Sequence, residues 1–233
     1  MTKNLKALAV SLAFVAAPVL AGDITGTVTY TGKVPTLKPI DMQGDPLCNS
    51  KHSSPVASEA LVLGAGNTMA NVMVRVKGPV QGTFPVPAQA AVIDQKGCQY
   101  RPHVLGIRIG QTLQFHNTDG LLHNVHALPK VNTPFNMAMP ANRTTADTKF
   151  GKEEGMFLVK CDVHGWMGAY VGVFANPFFA VTGTDGKFKI SGLPPGTYEV
   201  EAWQEKLGVQ TTKVTVTAAK PAAANFSFAP PSK

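Results

Sequence analysis

Charge is scarce in this chain. Only 15% of its 233 residues are Asp, Glu, Lys or Arg, against about 25% in an average globular protein. No run of lysines or arginines is long enough to follow a phosphate backbone, which excludes nucleic acid as a partner even though the formal charge is +7. Cysteine is scarcer still, with three in all. The sequence has no Gly-rich phosphate loop, no paired carboxylates placed for acid–base work and no Ser-His-Asp order. Beyond the first residues, no apolar run approaches the roughly 20 residues that a membrane helix needs. Helical periodicity is sparse too. What the chain does have is 22 glycines and 18 prolines within a composition that is 44% hydrophobic. That mixture is too apolar for disorder and fits short strands joined by turns.

Met1 to Ala21 is a different kind of segment. Lys3 and Lys6 precede an apolar core from Ala7 to about Ala17, and Val19-Leu20-Ala21 closes it. This reads as a secretory signal peptide whose core is too short to span a bilayer. No cysteine follows it, so a lipid anchor is not expected, and the mature protein is expected to be soluble in the periplasm. In such an oxidising compartment, three cysteines imply one disulfide and one thiol left for chemistry. Cys48 and Cys98 both lie in turn-like surroundings (Asp45-Pro46-Leu47-Cys48 and Lys96-Gly97-Cys98) and are expected to pair. Closing that loop would stabilise the fold by about 4 kcal/mol in the chain-entropy picture.

Period-2 alternation marks strands at Asp23–Tyr30 and Asn71–Lys77, with Pro-rich irregular chain between them. From Ile107 to Asn117 the odd positions are mostly apolar and the even ones, Arg108 and His116 among them, form a wet face. Phe157, Val159 and Cys161 repeat the pattern, placing the Cys161 sulfur inward. Pro129 to Lys152 reads as a long polar excursion. Asp185-Gly186 signals a hairpin turn, and the alternating residues from Phe188 to Phe228 read as a β-sandwich.

One segment concentrates the chemistry: Cys161-Asp162-Val163-His164-Gly165-Trp166-Met167. A thiolate, an imidazole and a thioether at Cys-x2-His-x2-Met make a soft donor set that suits copper, and a His2Cys set with a weak axial Met lacks only one more histidine. His52 sits alone in a Pro/Ser-rich loop, His103 is expected to pack, and His116 lies on the wet face. His123 and His126 are the contenders. Three residues apart on extended chain, they point to opposite sides and would not bind one ion together.

The stretch Ile109-Gly110-Gln111-Thr112-Leu113-Gln114-Phe115, then Asn117-x-Asp119 and His123-Asn124-Val125, followed by the cysteine loop, resembles the cupredoxins of the plastocyanin and amicyanin type over roughly Ala91 to Phe174. The resemblance implies one copper ion, cycling between Cu(I) and Cu(II), on His123, Cys161, His164 and Met167. His126 would stand outside the ligand set, and Asn124 would brace the cysteine loop. It also implies that the His164 edge reaches the surface as an electron exit, with Gly165, Trp166, Met167 and Ala169 as an apolar docking rim; Trp166 is read equally well as a core lid. Thr184-Asp185-Gly186-Lys187-Phe188 through Gly192-Leu193-Pro194-Pro195-Gly196-Thr197-Tyr198 is similar to the carboxypeptidase regulatory-like, prealbumin-type sandwich. Strands of that module precede the copper segment as well.

The expected fold is therefore all-β, a cupredoxin Greek-key sandwich inserted into or packed beside a prealbumin-like (Ig-like) one. The expected spans are 1–21 (signal peptide), 22–90 (first strands of the prealbumin-like sandwich), 91–175 (cupredoxin) and 176–233 (the remaining sandwich). The function implied is that of a type 1 copper electron carrier and not an enzyme, since six histidines and one such domain do not furnish a second, catalytic copper. A redox protein, such as a c-type cytochrome or a dehydrogenase, would be its partner. The alternative is a Cu(I) store or carrier that uses Met137, Met139 and His126 as extra soft ligands.

Overall fold

Alternation builds strands where it is regular. In β1 (Gly22–Tyr30) the side chains of Ile24, Val28 and Tyr30 are buried while Thr25, Thr27 and Thr29 are half-exposed. β2 (Met73–Val76) follows. Then come β3 (Ala91–Gln95), β4 (Tyr100–Arg101), β5 (Val104–Arg108), β6 (Thr112–Asn117), β7 (His123–Ala127), β8 (Phe135–Met139), β9 (Thr145–Lys149), β10 (Glu154–Lys160) and β11 (Gly168–Phe174). The chain continues with β12 (Phe179–Val181), β13 (Lys187–Leu193), β14 (Gly196–Gln204), β15 (Gly208–Val216), β16 (Ala222–Ala223) and β17 (Phe226–Phe228). The computed structural model describes residues 21–230. The expected signal peptide lies outside them, apart from Ala21. Among the described residues, the one α-helix is α1 (Pro46–Asn49).

These strands make two sandwiches. In the first, β1 pairs with β13, β16 and β17, and the facing sheet runs β12-β2-β14-β15. Its core is built on Ile24, Val28, Val72, Val74, Val200, Val216 and Phe228. Strands from the two ends of the chain thus hydrogen-bond to one another. The second sandwich comes from the chain between β2 and β12. One sheet runs β5-β11-β10-β7-β8 and the other β4-β3-β6-β9, around a core that includes Ile93, Leu113, Phe115, Val125, Phe157 and Val159. The protein is all-β, two sandwiches packed on each other. The seam between them is apolar and tight: Met73, Val104 and Phe174 are buried against Phe179 and Trp203. A Cβ on Gly106 would come within 2.7 Å of the Phe179 ring. Arg75 closes one side, its guanidinium over the Phe174 ring at 5.0 Å and its Nε donating to Glu201 at 2.7 Å.

Several expectations are corrected. The excursion Pro129–Lys152 holds two strands, β8 and β9. β9 has only Ala146 buried, and an edge strand that is polar on both faces looks like a loop in sequence. Arg108, assigned to the wet face, is buried because its guanidinium donates to the carbonyls of Phe84, Phe174 and Ala175. Asp185-Gly186 is a turn without a hairpin, since β12 and β13 belong to opposite sheets. Residues of the 22–90 span also divide: Met42 and Cys48, with Ile40 and Val56, pack into the core of the second sandwich.

Candidate metal centre

The centre lies at one end of the second sandwich, where β7 begins and β10 ends. His123 is the first residue of β7, and Cys161 is the first after β10. From Cys161 the chain closes a tight loop into β11. The Cys161 N–H donates to the Met167 carbonyl (3.2 Å) and the Met167 N–H to that of His164 (2.9 Å). Asn124, next to His123, holds this loop from below. Its Oδ1 accepts from the Cys161 Sγ at 3.3 Å and from the Asp162 N–H at 2.6 Å, while its Nδ2 donates to Asn136 at 2.7 Å. Tyr100 donates its hydroxyl to the Asn124 carbonyl and so fixes the brace in turn.

His123, Cys161 and His164 come together, and all three are buried with Met167. The two Nδ1 atoms are 3.0 Å apart, and the Cys161 Sγ is 3.8 Å from the His164 Nδ1. The outer nitrogens are engaged as well. The His123 Nε2 is 3.0 Å from Asp119 and the His164 Nε2 is 3.0 Å from Asp45. Ionised carboxylates only accept, so each Nε2 carries the proton and each Nδ1 turns a lone pair inward. Two lone pairs and a sulfur facing one another at these distances repel unless a cation lies among them. In the metal-free protein a proton can take that place. Burial opposes a charged His123, but hydrogen bonds to Asp119 and Cys161 raise its pKa above the ordinary value. Burial likewise opposes the Cys161 thiolate, yet its bonds with His123, Asn124 and His164 bring the pKa down to about 7. A soft thiolate and two inward imidazole nitrogens form a donor set fitted to a copper-like ion.

The remaining residues sort plainly. His126 faces away and bonds Asp162 at 2.8 Å. His52 bonds the Gly97 carbonyl (2.8 Å), His103 the Gly168 carbonyl (3.1 Å) and His116 the Gln114 side chain (2.6 Å), all outside the cluster. Met139 is a core residue opposite His123, and the Met137 sulfur takes an Arg143 N–H, so two of the extra ligands expected of a store, Met137 and His126, are engaged with other side chains. Cys48 and Cys98 are joined as a disulfide and Cys161 is free.

Two surface expectations fail. His164 is only 2% exposed, its outer edge covered by Asp45, so it forms no surface exit. Met167 and Ala169 are buried and make no docking rim. Trp166 is half-buried: its indole N–H donates to the Cys98 carbonyl at 3.1 Å, and its ring lies 5.1 Å from that of His164. The ring lines a cavity of about 300 Å³ together with His103, Tyr170 and Glu205.

Sequence reasoning missed the two carboxylates. Asp119 was within reach, four residues before His123 in the Asn117-x-Asp119 loop. Asp45 was readable as a helix N-cap ahead of Pro46, but nothing in the pattern ties it to His164, 119 residues away. Asp119 also contributes to acid stability. Burial raises its pKa, but the bonds from His123 and the N–H groups of Cys98 and Gly97 prevail and hold it at about 2 against 3.8. A depressed folded pKa contributes stability above pH about 4 that disappears as the pH falls toward 2, here about 2 kcal/mol. Urea unfolding of metal-free Asp119→Asn should therefore show a deficit of about that size at pH 6 that closes near pH 2. A deficit constant over that range would mean that these partners do not hold the carboxylate.

Residues 167–229 match the Carboxypeptidase regulatory-like domain family. The matched span takes in β11, which pairs within the other sandwich, and leaves out β1 and β2, which complete this one. No curated protein matches the sequence. Among solved structures, similarity is found to a copper-containing nitrite reductase from Thermus scotoductus SA-01, with 21% identity, 43% of this chain and 25% of that one covered, and a TM-score of 0.34. This chain thus spans about a quarter of the reductase's length. A methionine-to-alanine variant of amicyanin in its Cu(I) form shows 21% identity over 43% of this chain and 98% of its own, with a TM-score of 0.34. A purple cupredoxin from Nitrosopumilus maritimus shows 23% identity over 36% and 99%, with a TM-score of 0.31.

Proposed function

We propose that this chain is an exported, periplasmic type 1 (blue) copper electron-transfer protein. Its single mononuclear site would use His123, Cys161, His164 and Met167. The observation that carries this reading is the meeting of two inward-turned Nδ1 atoms with one buried thiol. When bound, copper supplies one-electron exchange between its +1 and +2 states. The chain does the rest. Cys161, with a pKa near 7, is ready to ionise and give a soft anionic ligand. Met167, buried at the end of the same loop, supplies a weak thioether. Asn124 and the short loop hydrogen bonds hold these groups in place, and burial of all four side chains excludes water. A ligand set that does not rearrange lets an electron come and go at little cost. The Cys48–Cys98 disulfide supports residence in an oxidising compartment. Among the described residues no helix is long and apolar enough to cross a membrane. A redox protein, such as a c-type cytochrome or a dehydrogenase, would exchange the electron.

Adding Cu(II) to the metal-free protein tests the reading. An intense blue colour saturating at one equivalent, bleached by reductant and restored by oxidant, is the expected result. A colourless protein that takes up several Cu(I) ions would overturn it in favour of storage.

A further inference from the structure

The outer faces of the two candidate imidazole ligands are served by one covalently joined unit. Asp45 Oδ1 caps α1, accepting from the N–H groups of Leu47 (2.9 Å) and Cys48 (3.2 Å), while its Oδ2 receives the His164 Nε2. Asp119 does the same on the other side. Its Oδ1 and Oδ2 accept from the N–H groups of Gly97 and Cys98, both at 2.7 Å, and Oδ2 also receives the His123 Nε2. Each carboxylate is thus anchored by the backbone of one half-cystine, and the Cys48–Cys98 bond welds the two anchors together. The sulfur of Cys48 lies within 4.8 Å of the Asp45 carboxylate and the His164 ring, and that of Cys98 within 4.8 Å of Asp119 and His123. The sulfurs are oxidised to a disulfide, so these groups are not further thiolate sites. Additional ties close the unit: Lys51 reaches Asp119 at 3.4 Å, and His52 bonds the Gly97 carbonyl.

We propose that the two segments joined by the Cys48–Cys98 bond, Met42–Ser53 and Lys96–Cys98, form a clasp over the metal centre, with Asp45 and Asp119 as the positioning residues that fix both histidine ligands from outside. The clasp sets the Nε2–H form of each ring, holds each Nδ1 on the centre and shuts the His164 edge off from solvent. A carboxylate behind an imidazole makes it a stronger donor, and outer partners of this kind are worth about 10- to 100-fold in metal affinity. Two anions beside the site favour the more highly charged metal state, so the clasp lowers the reduction potential.

The inference rests on the copper reading, and its test separates the two. Long-range 15N–1H spectra of the histidine rings in metal-free protein report the tautomers without any copper. The native protein should show both rings protonated at Nε2, or His123 fully protonated. Asp45→Ala and the double change Cys48→Ser/Cys98→Ser should each release His164 into a mixture of tautomers. Asp45→Asn keeps a helix cap and an acceptor but loses the charge. Its copper form should bind Cu(II) about tenfold more weakly relative to Cu(I), a rise in potential of about 59 mV. Unchanged ring spectra in both the alanine and the double-serine proteins, with an unmoved potential in Asp45→Asn, would overturn the clasp. A native protein that binds no Cu(II), yet has tautomers that follow Asp45, would overturn the copper reading and leave the clasp standing.

Discussion

Replacing Cys161 by serine should abolish the blue absorption of the copper protein while leaving the fold almost intact. The thiolate is the one anionic ligand in the proposed set and the source of strong charge-transfer colour. A serine hydroxyl does not ionise near neutral pH and is a hard donor. The remaining two imidazoles and a thioether would bind Cu(II) weakly and give a pale complex. Fold and chemistry separate cleanly at this position. Cys161 is buried and donates to Asn124 Oδ1 at 3.3 Å, and a serine hydroxyl can make the same bond in the same space. The stability change should be about 1 kcal/mol, the size of one altered buried hydrogen bond. His126→Ala is the control: His126 faces Asp162, so its loss should leave the colour unchanged. Visible and paramagnetic spectra of the three proteins at one equivalent of copper decide the matter. A Cys161→Ser protein that stays intensely blue would remove the sulfur from the site, and a bleached His126→Ala protein would remove His123.

The same pair of histidines shows how far the sequence can be read. Offset by three on extended chain, His123 and His126 had to face opposite ways, and they do: one is buried beside Cys161 and the other is turned toward Asp162. Parity also placed Leu113, Phe115, Phe157 and Val159 in the core, because a half-buried strand writes its orientation into every second residue. Parity failed where burial depends on a distant partner. Arg108 is inside because three carbonyls from Phe84, Phe174 and Ala175 are there to receive it, and no local pattern announces them. His164 is covered for a similar reason. Its loop resembles one that leaves an imidazole edge in water, but Asp45 is delivered to that edge by a segment whose position is set by a disulfide. Two cysteines in turn-like surroundings were enough to expect the bond. The consequence of the bond for the metal centre depended on knowing what each half-cystine's neighbours touch.

A chain ending at Ala175 should lose the first sandwich altogether. β1 takes its hydrogen bonds from β13, β16 and β17, and β2 from β12 and β14. All of these partner strands lie beyond Ala175, so both strands would lose every strand-to-strand ladder, leaving β1 only the bridge between Thr29 and Thr68 and the Met69 N–H on the Val28 carbonyl. Ile24, Val28, Val72, Val74 and Val76, now fully buried, would face water. At roughly 2 kcal/mol per buried aliphatic side chain, that burial cannot be replaced by two strands that do not pair with each other. The damage should stop near the seam. β3 to β11 are intact in such a chain, as are the Cys48–Cys98 bond and the carboxylates it anchors, so the site has all its parts. Met73, Val104 and Phe174 would lose their cover from Phe179 and Trp203, which favours aggregation over clean separation. Limited proteolysis should cut residues 21–39 and 57–80 at once while sparing 91–174, and urea unfolding should show a lower midpoint with a smaller slope, because less surface is exposed on unfolding. Copper colour retained in the protected fragment would show that the second sandwich builds the centre by itself. Equal resistance and an unchanged midpoint would mean that β1 and β2 do not depend on the C-terminal strands.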